Sequence, residues 1–293
     1  PHAVPFNVGG HTFTKPAGTT LLQLCEDESN IDVAAWRQYY DATHDPSRGL
    51  LPFRVRQIYR ALVRFAETHD RVRFVTAAGI LAHYVGDACQ PLHISYKFNG
   101  NPDHRVQMYV QNEHTHQWEL KNNQPRGSGV HSAFETAMIN YANTGGSLRD
   151  RVSNRLLAGG GAPLPQITDE HAAAVGLVAL MRRVGELLPP DEIIDVYAPL
   201  QGDPPKKLTR IPDGVAQDMW AALGDRTVEV MAAGCRYLAH LWQSAWEQGQ
   251  GAANITDLSR LDSHDIEQRK VDHQFIPSVT IDRIQEILNA PPA

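Results

Sequence analysis

The sequence predicts a mainly α-helical fold, all-α in class, on three observations. Apolar residues recur at helical spacing in several long segments, as Phe53, Ile58, Leu62 and Phe65 do. Few segments show the strict alternation of apolar and polar residues that is typical of a half-buried strand. Breaks that contain proline and glycine separate the periodic segments. We therefore expect a single multi-helical domain.

The predicted elements of the first third of the chain follow from this punctuation. Residues 1–19 contain three prolines and three glycines and are predicted to be irregular, whereas residues 20–40 suggest two short helices. A long helix is expected next, because Pro52 suits a first helical turn. A second long helix is expected over residues 71–89, since Pro91 stops it.

The rest of the chain alternates predicted loops with predicted helices. Residues 94–130 are rich in Asn, Gly, His and Gln, residues 158–165 read "AGGGAPLP", and residues 189–214 are rich in proline, so all three are predicted to be loops. Four further helices are predicted. The first begins at His131, the second runs from about Thr168 to Leu188, the third runs from about Val215 to Gly249, and the fourth lies near residues 279–289. We expect residues 1–250 to form the helical domain and residues 251–293 to form a tail with one helix.

Composition limits the classes of function. The chain of 293 residues is 42% hydrophobic and 20% charged, as in a globular protein, and its net charge is −6. That charge argues against a passive nucleic-acid binder, but not against a nuclease, because bound cations supply local positive charge. Lys206, Lys207 and Arg210 form only a short basic run, which is typical of a solvated face.

The cysteines and the apolar segments give little information about the compartment, and no signal peptide is visible. Cys25, Cys89 and Cys235 are too few for a disulfide framework, although one pair would be able to bridge in an exported protein. No window approaches the roughly 18 apolar residues of a membrane span. The compartment is left open.

The stretch "HYVGDACQPLH" (residues 83–93) carries the strongest chemical signal. His83 and Asp87 are four residues apart and share one face of the predicted helix, and His93 follows the break at Pro91. His131 and Glu135 repeat the four-residue spacing on a later helix. Each pair alone is also typical of a hydrogen-bonded helix pair. Together they predict a metal site, and nitrogen with carboxylate ligands favours zinc.

These residues carry a resemblance to known families. "LAHYVGDACQPLH" followed by "GVHSAFE" closely resembles the bacterial zinc-dependent phospholipase C family and the fungal and plant single-strand-specific nucleases of the S-one/P-one type. "LLPF" and "GCRYLAHLW" also match the family pattern. The resemblance implies a nearly all-α fold with a zinc cluster in a cleft between helices. It makes His83 and Asp87 ligands in the part of the cluster that includes the bridging carboxylate. It gives His93, His131 and Glu135 the remaining zinc, which keeps an open position.

The resemblance is incomplete at the amino-terminal side. Family members begin with a tryptophan that binds one zinc, whereas this chain begins with Pro1; His2 or His11 would be partial substitutes. His44 in "DATHDPSRG" is the best candidate for a further histidine ligand, with a polar turn residue as the alternative. Three carboxylates compete for the upstream aspartate: Asp27, Asp32 and Asp41. Two zinc ions are therefore expected, and a third only if these ligands are complete.

One segment competes with the second ligand pair. "NEHTHQWE" contains His114 and Glu119, which nearly match a nuclease-like pattern but are out of register by one residue. We prefer His131 and Glu135, and interpret His114 as a loop residue.

The resemblance implies hydrolysis of phosphodiester bonds by a metal-activated water, with Asp87 as ligand and catalytic proton acceptor. The substrate is left open between a phospholipid headgroup and a single-stranded nucleic acid, for which Tyr96, Phe98 and Tyr109 would offer stacking surfaces. No obligate protein partner is evident, and a family-like protein would be secreted or periplasmic. The alternative is a degenerate, non-catalytic member with structural zinc, or a helical binding module.

Overall fold

A computed structural model describes the chain over residues 4–8, 11–15, 24–43, 49–144, 147–160, 164–258, 261–272, 275–280 and 282–289. The described residues are mainly helical, so the predicted helical class is confirmed at that level. They also contain two antiparallel hairpins that the sequence did not lead us to expect. No described helix combines the length and the apolar character that crossing a membrane requires.

The elements are numbered in chain order. The strands are β1 (Val4–Val8), β2 (His11–Lys15), β3 (Asn101–Gln111) and β4 (Trp118–Arg126). The first helices are α1 (Val33–Thr43), α2 (Leu51–Glu67) and α3 (Arg71–Ala88), and α4 joins the segments Val130–Ser132, Ala133–Met138, which is π-helical, and Ile139–Ala142. The later helices are α5 (Ser147–Leu157), α6 (Glu170–Leu187), α7 (Pro190–Leu200), α8 (Asp213–Gln248), α9 (Gly251–Asn254), α10 (Ser263–Val271) and α11 (Ile284–Asn289).

Two predicted loops are wrong, each for a physical reason. Residues 94–130 contain β3 and β4, in which only Asn101 and Met108 are buried and the other side chains are half-buried or exposed, so no two-residue hydrophobic period marks them. Residues 189–214 contain α7, which starts at Pro190 because proline is compatible with a first helical turn. Its buried residues, Ile193, Ile194 and Tyr197, do have helical spacing.

The chain divides into two compact units. The first comprises residues 1–86, 162–180 and 235–293, and the second comprises residues 87–161 and 181–234. The predicted boundary after residue 250 is not tested by this division and stays a prediction.

The core of the first unit is built around α1 and α2. Trp36 and Phe53 are fully buried and meet edge to face, with ring centroids 5.0 Å apart. The predicted apolar face of α2 is buried as expected. Polar residues of the same helix hold the carboxyl-terminal segment: Arg54 and Gln57 donate to the carbonyl of Pro277 at 2.7 and 3.0 Å. This segment is therefore fixed by side-chain hydrogen bonds to its backbone as well as by apolar contacts such as that of Phe275 with Phe65.

The second unit contains the long hairpin and the helices around it. β3 and β4 pair from Asn101 opposite Arg126 to Gln111 opposite Trp118. Ion pairs join neighbouring helices, with Arg151 to Asp225 and Arg155 to Glu229 linking α5 to α8 and Arg226 to Glu192 linking α8 to α7. No disulfide joins the described cysteines Cys25, Cys89 and Cys235.

Close packing at Gly176 gives a test of the fold. Tyr237 is 1% exposed and donates to the carbonyl of Ala173 at 2.6 Å, and a Cβ on Gly176 would lie 2.5 Å from its hydroxyl oxygen. Gly176→Ala should lower the free energy of unfolding by about 1–3 kcal/mol, because the clash outweighs the gain in helix propensity.

The matched control is Gly79→Ala in α3, where a Cβ meets nothing within 4 Å. It should raise the free energy of unfolding by up to about 1 kcal/mol. Urea denaturation of both variants measures the difference, and a Gly176→Ala variant as stable as Gly79→Ala would contradict the packing.

Candidate metal centre

The site lies in the second unit, where the turn after α3 meets the start of α4. Pro91 ends α3, and the next turn is closed by hydrogen bonds from the amide of Gln90 to the carbonyl of Asp87 and from the amide of His93 to the carbonyl of Gln90. This turn brings the ring of His93 beside the first turns of α4.

Gly129 controls the entry into α4. Its φ of 97° is in the left-handed region that favours glycine, and its amide donates to Asn99 Oδ1 at 3.0 Å. A Cβ at this position would also lie 3.3 Å from the hydroxyl oxygen of Tyr197. The backbone turn at Gly129 therefore places His131, two residues later, next to the turn that carries His93.

Three potential ligand atoms converge at this point. His93 Nε2 lies 2.9 Å from His131 Nε2 and 3.2 Å from Glu135 Oε2, and His131 Nε2 lies 2.6 Å from Glu135 Oε2. Atoms bound to one tetrahedral zinc at about 2.0–2.1 Å lie roughly 3.3 Å from each other. The cluster therefore needs only a small expansion to accept a zinc ion.

Asp87 holds His93 from the opposite side of the ring. His93 Nδ1 donates to Asp87 Oδ1 at 3.1 Å, which fixes the tautomer and directs the lone pair of Nε2 toward His131 and Glu135. Carboxylates hydrogen-bonded to ligand histidines are a common feature of zinc sites. In this geometry Asp87 acts as an outer partner of His93, and its predicted role as a ligand stays a prediction.

The electrostatics of the cluster favour a positive charge. The pKa of His93 is raised above its ordinary value, first by the hydrogen bond to Asp87 and further by the charges of Glu135 and Asp87, whereas partial burial opposes the shift. The negative surroundings that favour the imidazolium also favour a divalent cation.

Sequence reasoning missed Gln90. Its Oε1 accepts from the amide of Leu92 at 2.6 Å, and its Nε2 lies 3.3 Å from Glu135 Oε2, to which it donates. One side chain thus fixes the turn that carries His93 and the carboxylate of Glu135. Its place between Asp87 and His93 in "DACQPLH" was the available signal.

The donor set fits zinc. Two imidazoles and a carboxylate are the three protein ligands of one known class of catalytic zinc site, in which a fourth position stays open. The side chain of Glu135 is 45% exposed and that of His131 is 37% exposed, so solvent and ligands reach the cluster. His93, His131 and Glu135 form the only group of three such residues among those that the structure describes.

The other predicted ligands that the structure describes are not part of the group formed by His93, His131 and Glu135. His83 lies on the exposed side of α3, with its ring edge-on to Tyr84. Asp27 accepts from the amide of Ser29, and Asp32 accepts from the amide of Ala34, so both carboxylates cap local helical turns. Asp41 is an exposed residue of α1.

Three further predicted ligands remain. His2 and His44 lie outside the described residues, and His11 is described only as part of β2. The roles of all these residues as ligands, and the number of zinc ions, stay predictions.

The competing segment forms the turn between β3 and β4. His114 donates its amide to Asn112 Oδ1 at 2.9 Å, and Glu119 is bound by Asn112 at 2.7 Å and Lys121 at 2.5 Å. The structure therefore brings His131 and Glu135, but not His114 and Glu119, next to His93.

A comparison with known proteins identifies one relevant relative. The chain is 41% identical over 291 residues to a protein of Bradyrhizobium tropiciagri named a probable serine protease. The match covers 93% of this chain and 35% of the relative, so the chain spans about a third of the relative's length. No family model matches the chain, and no solved structure matches it.

This relative corrects the resemblance to zinc-dependent phospholipases C and single-strand nucleases. A serine protease cleaves peptide bonds, so the predicted phosphodiester hydrolysis, with its phospholipid or single-stranded nucleic acid substrate, is wrong. The physical reason is that the resemblance depended on short His, Asp and Glu motifs at helical spacing. Such spacing reports which residues share a helix face, and different chemistries use the same arrangement.

Replacement of Asp87 tests its role as an outer partner. Asp87→Asn removes the negative charge behind His93, so the affinity for zinc should fall about 10–100-fold while one ion still binds this cluster. Zinc titration with a competing chelator dye measures both quantities, and Asp218→Asn, an exposed carboxylate on α8, is the control. Unchanged affinity would contradict the outer role, and loss of more than one zinc ion would show that Asp87 is a ligand.

The raised pKa of His93 predicts a pH dependence of the zinc-free protein. Protonated His93 stabilises the fold through Asp87 and Glu135, and this contribution is fully present below its unfolded-state pKa of about 6.5. It is lost as the pH rises through the raised folded-state pKa. In chelator, the difference in Tm between the wild type and His93→Gln should therefore shrink as the pH increases. A difference that grows with pH would contradict the sign of the shift.

Proposed function

We propose that the chain takes part in peptide-bond hydrolysis and that His93, His131 and Glu135 form its zinc site. The observation that carries the proposal is the convergence of three ligand atoms within 3.2 Å of each other. The choice of peptide bonds is supported by the relative, whose name describes a protease.

The surroundings of His93 favour a cation at this site over a serine nucleophile. An Asp–His pair also occurs in serine proteases, where the far ring nitrogen accepts the proton of a serine hydroxyl. Here the far nitrogen faces His131 and Glu135, and no serine hydroxyl is among the described hydrogen-bond partners of either histidine. The arrangement therefore suits a metal ligand better than a general base for serine.

Each residue of the site would have a distinct role. His93, His131 and Glu135 would hold the ion, Asp87 would orient His93, and Gln90 would position the carboxylate of Glu135. Bound zinc polarises a carbonyl group and lowers the pKa of a bound water. The exposure of the cluster leaves room for a peptide to approach.

The relative's name describes both a substrate class, which is peptide bonds, and a catalytic type, which is a serine nucleophile. The proposal uses only the substrate class. The relative's name belongs to a protein of which this chain spans about a third. The experiment therefore needs separate measurements of zinc binding, peptide hydrolysis and serine reactivity on this chain.

Glu135→Gln is the decisive variant, because it keeps the shape of the side chain and removes the anionic ligand. We expect about one zinc ion at this cluster in the wild type, cleavage of fluorescent casein that a chelator abolishes and added zinc restores, and a loss of both properties in Glu135→Gln. Glu186→Gln, which changes an exposed carboxylate on α6, is the control and should keep both.

The outcomes separate the two halves of the proposal. Zinc binding without casein cleavage under any condition would overturn the hydrolytic function. Casein cleavage that survives zinc removal, together with labelling of the chain by a fluorophosphonate, would overturn the role of zinc and assign the reaction to a serine.

A further inference from the structure

The second unit contains a pocket that the proposed reaction does not use. Its volume is about 550 Å³, in the range of ligand-binding pockets. It lies between the long hairpin and the turn after α7, and its lining includes Tyr109, Trp118, Gln201, Asp203 and Lys206.

Hydrogen bonds fix the wall of this pocket. The amide of Tyr109 donates to the carbonyl of Pro205 at 2.9 Å, so the turn after α7 continues the edge of β3. Gln201, which is 3% exposed, donates through Nε2 to the carbonyls of Ser128 and Lys206 at 3.0 and 3.1 Å. A wall held this way needs little ordering when a ligand binds.

The hairpin beside the pocket carries an unusual apolar surface. Trp118 is 43% exposed and Leu120 is 49% exposed, and they point to the same face of β4 because they are two residues apart. Exposed apolar side chains grouped around a pocket are typical of a binding surface.

A lysine lies beside Trp118. Lys206 Nζ lies 5.9 Å from the centroid of the Trp118 ring. Lys206, Lys207 and Arg210 have no carboxylate within ion-pair distance among the residues that the structure describes, and Asp203 is the acidic residue in the lining. The pocket therefore offers an aromatic wall beside Lys206, for which no carboxylate of the described residues lies within ion-pair distance. This combination matches an apolar side chain next to an acidic one.

The hairpin connects this pocket to the metal centre. Asn101 pairs with Arg126 at the base of the hairpin, His93 precedes Asn101, and His131 follows Arg126. The two histidines that meet at 2.9 Å thus lie in the segments on either side of the hairpin, whose far part lines the pocket. A chain bound at the pocket contacts a hairpin whose two strands lead into the segments that carry His93 and His131.

We propose that this pocket binds a segment of polypeptide substrate in which acidic residues flank an aromatic or large aliphatic side chain. The inference rests on the proposed function for its substrate class, and it adds the sequence preference. The apolar side chain packs on Trp118 and Tyr109, and the acidic side chain pairs with Lys206.

A peptide fits this surface better than a single-stranded nucleic acid. Asp203 in the lining and Glu119 on β4 repel a continuous polyanion, and the chain as a whole has a net charge of −6. A peptide places its acidic groups individually and avoids these carboxylates.

Fluorescence anisotropy tests the proposal with a fluorescein-labelled Gly-Glu-Phe-Glu-Leu-Glu-Gly peptide. The Glu135→Gln protein is used throughout, so that cleavage does not interfere. Trp118→Ala should raise the Kd about tenfold, and Lys206→Ala about threefold with an effect that shrinks at high salt. Trp118→Phe, which keeps a ring, should recover part of the affinity and shows that the hairpin is folded.

The controls are Leu157→Ala and Lys270→Ala, which change exposed residues outside the pocket and should leave the Kd unchanged. Equal affinity for a peptide with lysine in place of glutamate, an unchanged Kd in Trp118→Ala, or tighter binding of an oligothymidine would each overturn the inference. Peptide binding as expected, with no casein cleavage by the wild type, would support the pocket and overturn only the proposed function.

Discussion

The hydrogen bond between Asp87 and His93 is the interaction on which the candidate site depends. It fixes the proton on Nδ1, and so leaves Nε2 free to face the start of α4. His93 lies in a short turn rather than in a helix, so its ring is oriented by these side-chain contacts, with Asp87 on one edge and Glu135 on the other. The backbone turn that ends α3 at Pro91 and the glycine at position 129 then bring the two histidines to 2.9 Å.

The same interaction explains why the cluster favours a cation. Asp87 and Glu135 place two carboxylates around the ring of His93, and the raised pKa of that ring reports their combined field. A proton on His93 balances part of this charge when no metal is bound. A divalent ion would balance more of it, and would replace close contacts between two ring nitrogens and a carboxylate oxygen with bonds to one centre. Proton and metal therefore compete for one negative site.

The sequence predicted the helices because helical spacing carries information over short distances. The grouping of His93 with His131 and Glu135 came from the resemblance, since His93 and His131 are 38 residues apart. The sequence did not predict the hairpin, whose two mostly exposed faces leave no hydrophobic period, or α7, whose prolines suggested a loop. Gln90 was missed because an amide has no spacing rule of its own; its role depends on Glu135, far along the chain. The chemical family was predicted wrongly because short motifs specify local geometry and leave the reaction undetermined.

The hairpin gives a physical reason why one chain would combine a metal centre with a distant binding pocket. Its base is closed by residues that flank His93 and His131, and its far part forms a wall of the pocket. Hydrogen bonds already hold the pocket wall and the turn that carries His93, so a bound peptide and a bound zinc ion would each meet a preformed surface.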